Sequence, residues 1–304
     1  MSYLRSMNTH AHSLKKIASA LSQSEIKEYE YIPKPEQALP NVNRIKEIMN
    51  IVRSIFFPDF FGDTEISEYT QESHMEVYME RLYSLLNEQI YKSLCVFNHA
   101  ADEWEETAPA LTLTFIDRLP EIKRLLATDI KAVCDSDPAA TGSGEVIFCY
   151  PAIQAMVHYR VAHELLCMKV PVLPRIITEL AHSATGIDIH PGARIGEYFS
   201  IDHGTGVVIG ETCVIGNHVR LYQGVTLGAK GFTFNHEGLP INEPRHPVIE
   251  DHVIIYANST ILGRITIGHH SIIGGNIWQV YSVPPHSRIV QKKATASFTD
   301  GLGI

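Results

Sequence analysis

The stretch Ile201 to Gly216 reads IDHGTGVVIGETCVIG and returns to an aliphatic residue at a short, regular interval. Neither the three-and-four spacing of a helix nor the strict alternation of a strand fits this segment for long. The interval is six residues, and it continues on both sides of the segment. Aliphatic residues follow it in three registers: Ile189, Ile195 and Ile201; Ile209, Ile215, Leu221 and Leu227; and Ile249, Ile255, Ile261, Ile267 and Ile273. Such hexads predict short strands that turn a corner every six residues and stack into a prism filled by the aliphatic side chains.

Two interruptions break the six-residue register. The first is a slip of two residues between Ile201 and Ile209, and the second is the segment 229–247, AKGFTFNHEGLPINEPRHP. The second segment carries two prolines before Arg245 and cannot form a coil of the prism, so we expect it to loop out. Loops on rigid scaffolds are where functional residues concentrate.

The residues before the prism follow a helical pattern instead. From Leu119 to Val133, for example, apolar residues fall at spacings of three and four and form one stripe. We therefore predict an α+β chain in which an all-α helical domain is followed by a parallel β-helix. The predicted boundaries are 1–182 for the helical domain, 183–290 for the β-helix domain with its loop 229–247, and 291–304 for a flexible C-terminal tail.

Composition restricts the partners of this chain. Among 304 residues, 34 acidic and 25 basic side chains give a formal charge of -9, which argues against binding to nucleic acid or to an anionic membrane. The N-terminus lacks the apolar core of a signal peptide, and no apolar run approaches the length of a membrane span, so we expect a cytoplasmic protein. The five cysteines contain no C-x-x-C pair, which predicts neither a disulfide framework nor a zinc knuckle.

Several short motifs occur along the chain in a fixed order. They are Asp137-Pro-Ala139, Tyr150-Pro-Ala-Ile-Gln154, Asp188-Ile-His-Pro191, Ile201-Asp-His-Gly-Thr-Gly206, Val208-Ile-Gly-Glu-Thr212, Gln223-Gly-Val-Thr-Leu-Gly228 and Arg245-His-Pro247. In this order they resemble the serine O-acetyltransferases, a family within the hexapeptide-repeat acyltransferases. The resemblance implies a left-handed parallel β-helix, a hand opposite to that of ordinary β-α-β crossovers. It also implies transfer of an acetyl group from acetyl-CoA to the hydroxyl of L-serine, the first step of cysteine biosynthesis.

The reaction needs a base that takes the hydroxyl proton near neutral pH, and histidine suits this task. His203 lies in the register slip, where its side chain can leave the surface of the prism. Asp188 precedes it by fifteen residues, close to the length of one coil, so we expect the two side chains near the same edge. There the carboxylate would orient the imidazole and stabilise its charged form. The resemblance assigns the same two roles.

Serine carries an ammonium and a carboxylate, so its pocket should combine acidic and basic groups. The resemblance makes Asp137 and Asp202 the ligands of the amino group, and Arg245 and His246 the clamp on the carboxylate. L-Cysteine differs from serine by one atom and is expected to bind in the same pocket as a feedback inhibitor.

The resemblance also implies cofactor positions and partners. Ala229, Ala257 and Gly275 would line a groove for acetyl-CoA between neighbouring prisms, and no metal is expected. The assembly would be a homotrimer, which two helical domains could pair into a hexamer. The tail that ends in Ile304 would bind O-acetylserine sulfhydrylase through its free carboxylate and one apolar side chain.

Three other readings stay open at this point. The chain could be a hexapeptide-repeat transferase with a sugar or another amine as acceptor, because many acceptors share the prism. A metal-dependent prism enzyme needs three histidines on neighbouring coils, and His203, His246 and His252 do not show that arrangement. A regulatory or scaffold protein with a weakened site is the third reading, and a rate measurement with serine and acetyl-CoA separates it from an enzyme.

Overall fold

The computed structural model describes residues 13–22, 38–62, 71–97 and 104–292. The chain divides into two compact units, residues 1–39 and 40–304. The described part of the first unit contains one exposed helix, α1, at residues 13–22. Most of the predicted tail, from residue 293 onward, lies outside the described residues.

The second unit begins with a series of helices. Those described are α2 (Val42–Phe56), α3 (Pro58–Phe61), α4 (Gln71–Phe97), α5 (Trp104–Ser136), α6 (Ser143–Cys149), α7 (Pro151–Cys167) and α8 (Leu173–Thr185). The apolar stripe predicted from Leu119 to Val133 lies on the buried side of α5. Helix α4 packs against α2 and α5, and α7 packs against α8, so the stripes meet in one core that continues into the strands.

The strands that follow form a prism with three faces. Sheet 1 contains β1 (Asp188–Ile189), β4 (Val208–Ile209), β7 (Thr226–Gly228), β10 (Thr260–Leu262) and β13 (Trp278–Gln279). Sheet 2 contains β2 (Arg194–Ile195), β5 (Val214–Ile215), β8 (Val248–Ile249) and β11 (Thr266–Ile267). Sheet 3 contains β3 (Ser200–Asp202), β6 (Arg220–Tyr222), β9 (Ile254–Ile255), β12 (Ile272–Ile273) and β14 (Arg288–Ile289). Every ladder between these strands is parallel, which confirms the predicted helical region followed by a parallel β-helix.

The aliphatic residues of the hexads fill the interior of the prism. Ile189 pairs with Ile209, Ile209 with Leu227, and Leu227 with Ile261, and all four side chains are buried. The register slip makes the first coil twenty residues long, because Ile189 stacks on Ile209. The segment 229–247 leaves the prism after β7 and returns at β8. Within it a short antiparallel bridge joins Phe234 to Pro240.

Helix α7 connects the helical region to the first coil of the prism through side-chain hydrogen bonds. The hydroxyl of Tyr159 donates to the carbonyl of Ala193 at 2.7 Å, and Nδ1 of His163 donates to the carbonyl of Pro191 at 2.8 Å. The buried guanidinium of Arg160 donates to both carboxylate oxygens of Asp129 on α5, at 2.7 and 2.8 Å. These bonds fix the position of α5, whose end leads directly to Asp137. No described helix is long and apolar enough to cross a membrane.

Candidate active site

The prism has three edges, each formed where the chain turns from one sheet to the next. The His203 edge lies between sheets 3 and 1, the Arg245 edge lies between sheets 1 and 2, and the histidine edge lies between sheets 2 and 3. The histidine edge carries Tyr198, His218, His252, His270 and His286. The predicted site residues are divided between the first two edges.

At the His203 edge, the slip turns the chain outward directly after β3. His203 adopts a left-handed backbone with φ 58°, and Gly204 follows with φ 92°. A side chain at position 204 would meet Cδ1 of Ile187 at 2.5 Å, so glycine suits this corner. The imidazole of His203 is 71% exposed, and its Nε2 lies 3.7 Å from a carboxylate oxygen of Asp202. It can therefore meet a substrate from solvent.

Asp137 reaches the same edge from the end of α5. Its Oδ2 accepts a hydrogen bond from the hydroxyl of Tyr150 at 2.6 Å, and its Oδ1 accepts from the backbone N–H of Ala139 at 2.8 Å. The Tyr150 bond is the main cause that lowers the pKa of Asp137, and the charges of His203 and Arg220 lower it further. The same bond raises the pKa of Tyr150 to about 12.

Asp188 flanks this edge from the first strand of sheet 1. Because the first coil is twenty residues long, Asp188 pairs with Val208 and not with a residue next to His203. Among the described residues, no hydrogen bond or ion pair joins Asp188 to His203, and the carboxylate within 4 Å of the imidazole is that of Asp202. The orienting role of Asp188 therefore stays a prediction.

The Arg245 edge is built around the hydroxyl of Thr212. Its Oγ1 accepts the backbone N–H groups of Arg245 and His246, at 2.9 and 3.1 Å. The backbone N–H of Thr212 donates to Nδ1 of His246 at 3.1 Å, which places the ring proton on Nε2 in the neutral form. The ring packs so closely on Gly210 that a Cβ there would lie 2.0 Å from Cδ2 of His246.

Burial and charge define what this edge can bind. Desolvation, assisted by the charge of Arg245, lowers the pKa of His246 to about 4, so its imidazole is neutral at pH 7. Arg245 donates from Nη2 to Glu211 at 2.5 Å, while its buried Nε has no hydrogen-bond partner among the described residues. An unsatisfied guanidinium donor beside a neutral imidazole suits an incoming carboxylate.

The positions predicted for acetyl-CoA are divided in the same way. Ala257 and Gly275 stack at the His203 edge, where a Cβ on Gly275 would lie 3.2 Å from the carbonyl oxygen of Ala257. Ala229 follows β7 at the Arg245 edge. Within one chain the structure thus groups His203 with Asp137, Asp202, Ala257 and Gly275. A second group comprises Arg245, His246 and Ala229.

No role is predicted from the sequence for Tyr150, Glu211 or Thr212. All three belong to the quoted motifs, so the motifs themselves were the available signal. The histidine triad of a metal-dependent prism enzyme does not form, because His203, His246 and His252 lie at three different edges. That alternative is therefore not supported by the geometry.

Comparison with known proteins gives consistent similarities. The chain is 47% identical over 303 residues to the plasmid serine acetyltransferase of Synechococcus elongatus. The aligned region covers 96% of this chain and 95% of the relative. A serine acetyltransferase isoform 3 from Entamoeba histolytica, solved in complex with cysteine, superposes with a TM-score of 0.70 at 31% identity over 94% of both chains. The serine acetyltransferase of Neisseria gonorrhoeae in complex with serine gives a TM-score of 0.54 at 26% identity over 82% of this chain and 97% of that chain. No protein-family model matches the sequence.

Fold, site and relatives together define an acyltransferase built on a hexapeptide-repeat β-helix. The chain shares nearly its full length with a serine acetyltransferase at well above 30% identity. It belongs to the serine acetyltransferase family. The family resemblance seen in the motifs is thereby confirmed, together with the left-handed β-helix and the acyltransferase class.

Proposed function

We propose that this chain transfers the acetyl group of acetyl-CoA to the hydroxyl of L-serine, with His203 as the general base. Nε2 of His203 takes the hydroxyl proton while the serine oxygen forms a bond to the thioester carbon. The carbon–sulfur bond then breaks, and the proton passes to the leaving thiolate of coenzyme A, which yields O-acetyl-L-serine. The observation that carries the proposal is the exposed imidazole of His203 beside the carboxylates of Asp202 and Asp137.

The substrate groups have matching partners at the two edges. Asp137 and Asp202 supply negative charge for the ammonium of serine next to the base. Arg245, whose Nε has no partner in the described part of the chain, and the neutral His246 supply donors for the carboxylate. Asp188 remains the group proposed to stabilise the imidazolium, because it adds the charge of a further carboxylate near the same edge.

These partners belong to different edges of one prism, which favours an assembly. In a ring of three chains with head-to-tail contacts, the Arg245 edge of one chain faces the His203 edge of the next. Such a homotrimer completes the serine pocket between chains. It also brings Ala229 of one chain opposite Ala257 and Gly275 of its neighbour, along a groove for acetyl-CoA. A hexamer formed by pairing two trimers through the helices is a further part of the proposal.

The test is a rate measurement with L-serine and acetyl-CoA. His203→Ala should lower kcat by about a hundredfold or more, since a general base contributes that much. His218→Asn is the matched control, because His218 has the same left-handed backbone, φ 56°, at the histidine edge. If His203→Ala retains near-normal activity, His203 is not the base. A higher rate with a sugar or another amine than with L-serine as the acceptor would also contradict the serine assignment.

L-Cysteine should act as a competitive inhibitor with respect to serine. The two amino acids differ in one atom, and a relative from Entamoeba histolytica was solved in complex with cysteine. An unchanged rate at cysteine concentrations that saturate the serine site would contradict the assignment of Asp137, Asp202, Arg245 and His246 as one pocket.

The C-terminal tail is proposed to bind O-acetylserine sulfhydrylase through Ile304. The segment SFTDGLGI lies outside the described residues, and the proposal is supported by an isoleucine that follows Gly-Leu-Gly. Deleting Ile304 should abolish the association in a pull-down at micromolar concentrations and leave acetyl transfer unchanged. Absence of association with the full-length chain would overturn this proposal.

A further inference from the structure

The histidine edge is a continuous column of aromatic rings. Tyr198, His218 and His252 stack at centroid distances of 4.4 and 4.7 Å with nearly parallel planes, and His270 and His286 continue the column at 4.6 and 5.1 Å. All five have left-handed backbones, with φ between 54° and 60°. Histidine tolerates this conformation better than most residues, so the column by itself is explained by backbone and stacking.

His269 is not part of this column, and its ring has a different orientation. It stands at 86° to the rings of both His270 and His286, with centroids 5.3 and 4.9 Å away. Its Nδ1 shares a hydrogen bond of 3.2 Å with Nδ1 of His270. One ring nitrogen from each of these three histidines lies within 4.8 Å of the other two. Stacking does not require three imidazole nitrogens to converge in this way.

We propose that His269, His270 and His286 bind a divalent transition-metal ion of the zinc class at the histidine edge. Imidazole nitrogen is a preferred ligand of such ions, and three histidines with a water molecule complete a tetrahedral site. Two nitrogens that share a tetrahedral Zn²⁺ at the usual bond length lie roughly 3.4 Å apart. The pair of Nδ1 atoms already has this spacing. Binding of an ion would require the exposed rings of His270 and His286 to rotate, because the three nitrogens are separated by up to 4.8 Å.

Backbone hydrogen bonds hold the three residues in place. The N–H of His286 donates to the carbonyl of His269 at 2.9 Å, and the N–H of His269 donates to Oε2 of Glu250 at 2.8 Å. His269 and His270 form the corner between β11 and β12, whereas His286 belongs to the last coil, just before β14. A bound ion would therefore join the last two coils of the prism. It would restrain a last coil in which β13 and β14 are only two residues long.

This site is separate from the proposed acetyl transfer, which uses the other two edges. It also departs from the sequence-based expectation that no metal is bound. In the sequence, two of the histidines are adjacent and the third follows sixteen residues after the second, which is not a familiar ligand spacing. The stacking of one coil on the next brings them together.

Titration of the full-length chain with Zn²⁺ tests this proposal. The protein is prepared without a polyhistidine tag, treated with chelator, and followed by calorimetry and by the visible absorption of Co²⁺ as a substitute ion. We expect one ion per chain and an unfolding temperature that rises with Zn²⁺ concentration. His269→Gln, His270→Asn and His286→Asn should each weaken binding by more than about tenfold, since even outer-shell changes cost that much.

Two variants serve as controls for this titration. His218→Asn removes a histidine from the same column, and His203→Asn removes the proposed base, so both should bind Zn²⁺ like the wild type. Asparagine adopts the left-handed backbone, which keeps the variants at positions 270 and 286 folded. Equal unfolding temperatures without metal verify this for each variant. The proposal is overturned if the wild type binds no ion at 100-fold molar excess, or if His218→Asn weakens binding as much as the three ligand variants.

Discussion

At the scale of single residues, the His203 edge concentrates negative charge around an exposed imidazole. Asp202 is the last residue of β3, and Asp137 lies at the end of α5 with its carboxylate hydrogen-bonded by Tyr150. Asp137 makes two hydrogen bonds that favour its ionised form, so it is prepared to meet a cation before any substrate arrives. In the proposed pocket Tyr150 is therefore a positioning residue, since it would act through the carboxylate of Asp137.

Tyr150→Phe tests this positioning role. The change removes the 2.6 Å hydrogen bond to Asp137, which should let its pKa rise and its carboxylate turn away. A hydrogen bond to a charged group contributes about 1.5–3 kcal/mol, so KM for L-serine should rise at least about tenfold while kcat changes little. Steady-state kinetics measures both. Tyr198→Phe is the control, because this tyrosine lies at the histidine edge and should leave KM unchanged.

Gly210→Ala tests the position of His246. The added methyl group would lie 2.0 Å from the imidazole, and Thr212 holds that ring from the other side, so the ring must leave its place. We expect kcat/KM for serine to fall by at least about tenfold because the carboxylate clamp is lost. Gly231→Ala, in the same region with nothing within 4 Å of the new methyl group, should behave like the wild type. Normal kinetics of Gly210→Ala would exclude His246 from the pocket.

At the scale of elements, the hexads predict which side chains fill the interior of the prism, because an inward-facing residue recurs each time the chain turns from one sheet to the next. Ile189, Ile209 and Leu227 stack as their registers imply. The hexads do not predict how the pocket is divided between edges. The segment 229–247 interrupts the six-residue repeat before Arg245. The slip lengthens the first coil, so that Asp188 pairs with Val208.

Contacts between helices could not be predicted from the sequence, because they correspond to no periodic pattern of residues. Asp129 and Arg160 belong to different helices, and their ion pair follows from how α5 and α7 pack on the first coil. Tyr150 and Asp137 meet because α5 ends beside α6, and nothing in the spacing of thirteen residues requires it. Such contacts depend on the relative placement of elements, which hydrophobic patterns do not encode.

Arg160→Leu tests the link between the helices and the prism. The variant leaves the carboxylate of Asp129, which is 1% exposed, without its cation. Removing one partner of a buried ion pair costs about 3–5 kcal/mol, so the free energy of unfolding in urea should fall by that amount. Asp129→Leu combined with Arg160→Leu should recover part of the loss, because no buried charge remains. A loss below about 1 kcal/mol in the single variant would show that solvent reaches this pair.

At the scale of the whole molecule, the proposed pocket is divided between two edges of the prism. This division determines whether two neighbouring chains must come together to complete it. The His203 edge holds the proposed base and the proposed acidic ligands, and the Arg245 edge holds the proposed carboxylate clamp. If the pocket forms between neighbouring chains of a ring, two chains with different defects can complement each other. If each chain completes its own pocket, two defective chains stay defective in any mixture.

Mixed assemblies of inactive variants distinguish these arrangements. His203→Ala and Arg245→Ala chains, unfolded and refolded together in equal amounts, should regain activity. A pocket is intact when its His203 edge comes from an Arg245→Ala chain and its Arg245 edge from a His203→Ala chain, which random assortment gives in about a quarter of the pockets. The matched control mixes His203→Ala with Asp202→Ala. Both defects then lie at the same edge, no chain supplies that edge intact, and activity should stay at the level of the separate variants. Recovery of activity in the first mixture alone would place the pocket between chains. If trimers form and neither mixture recovers activity, the proposal of a pocket between chains is contradicted.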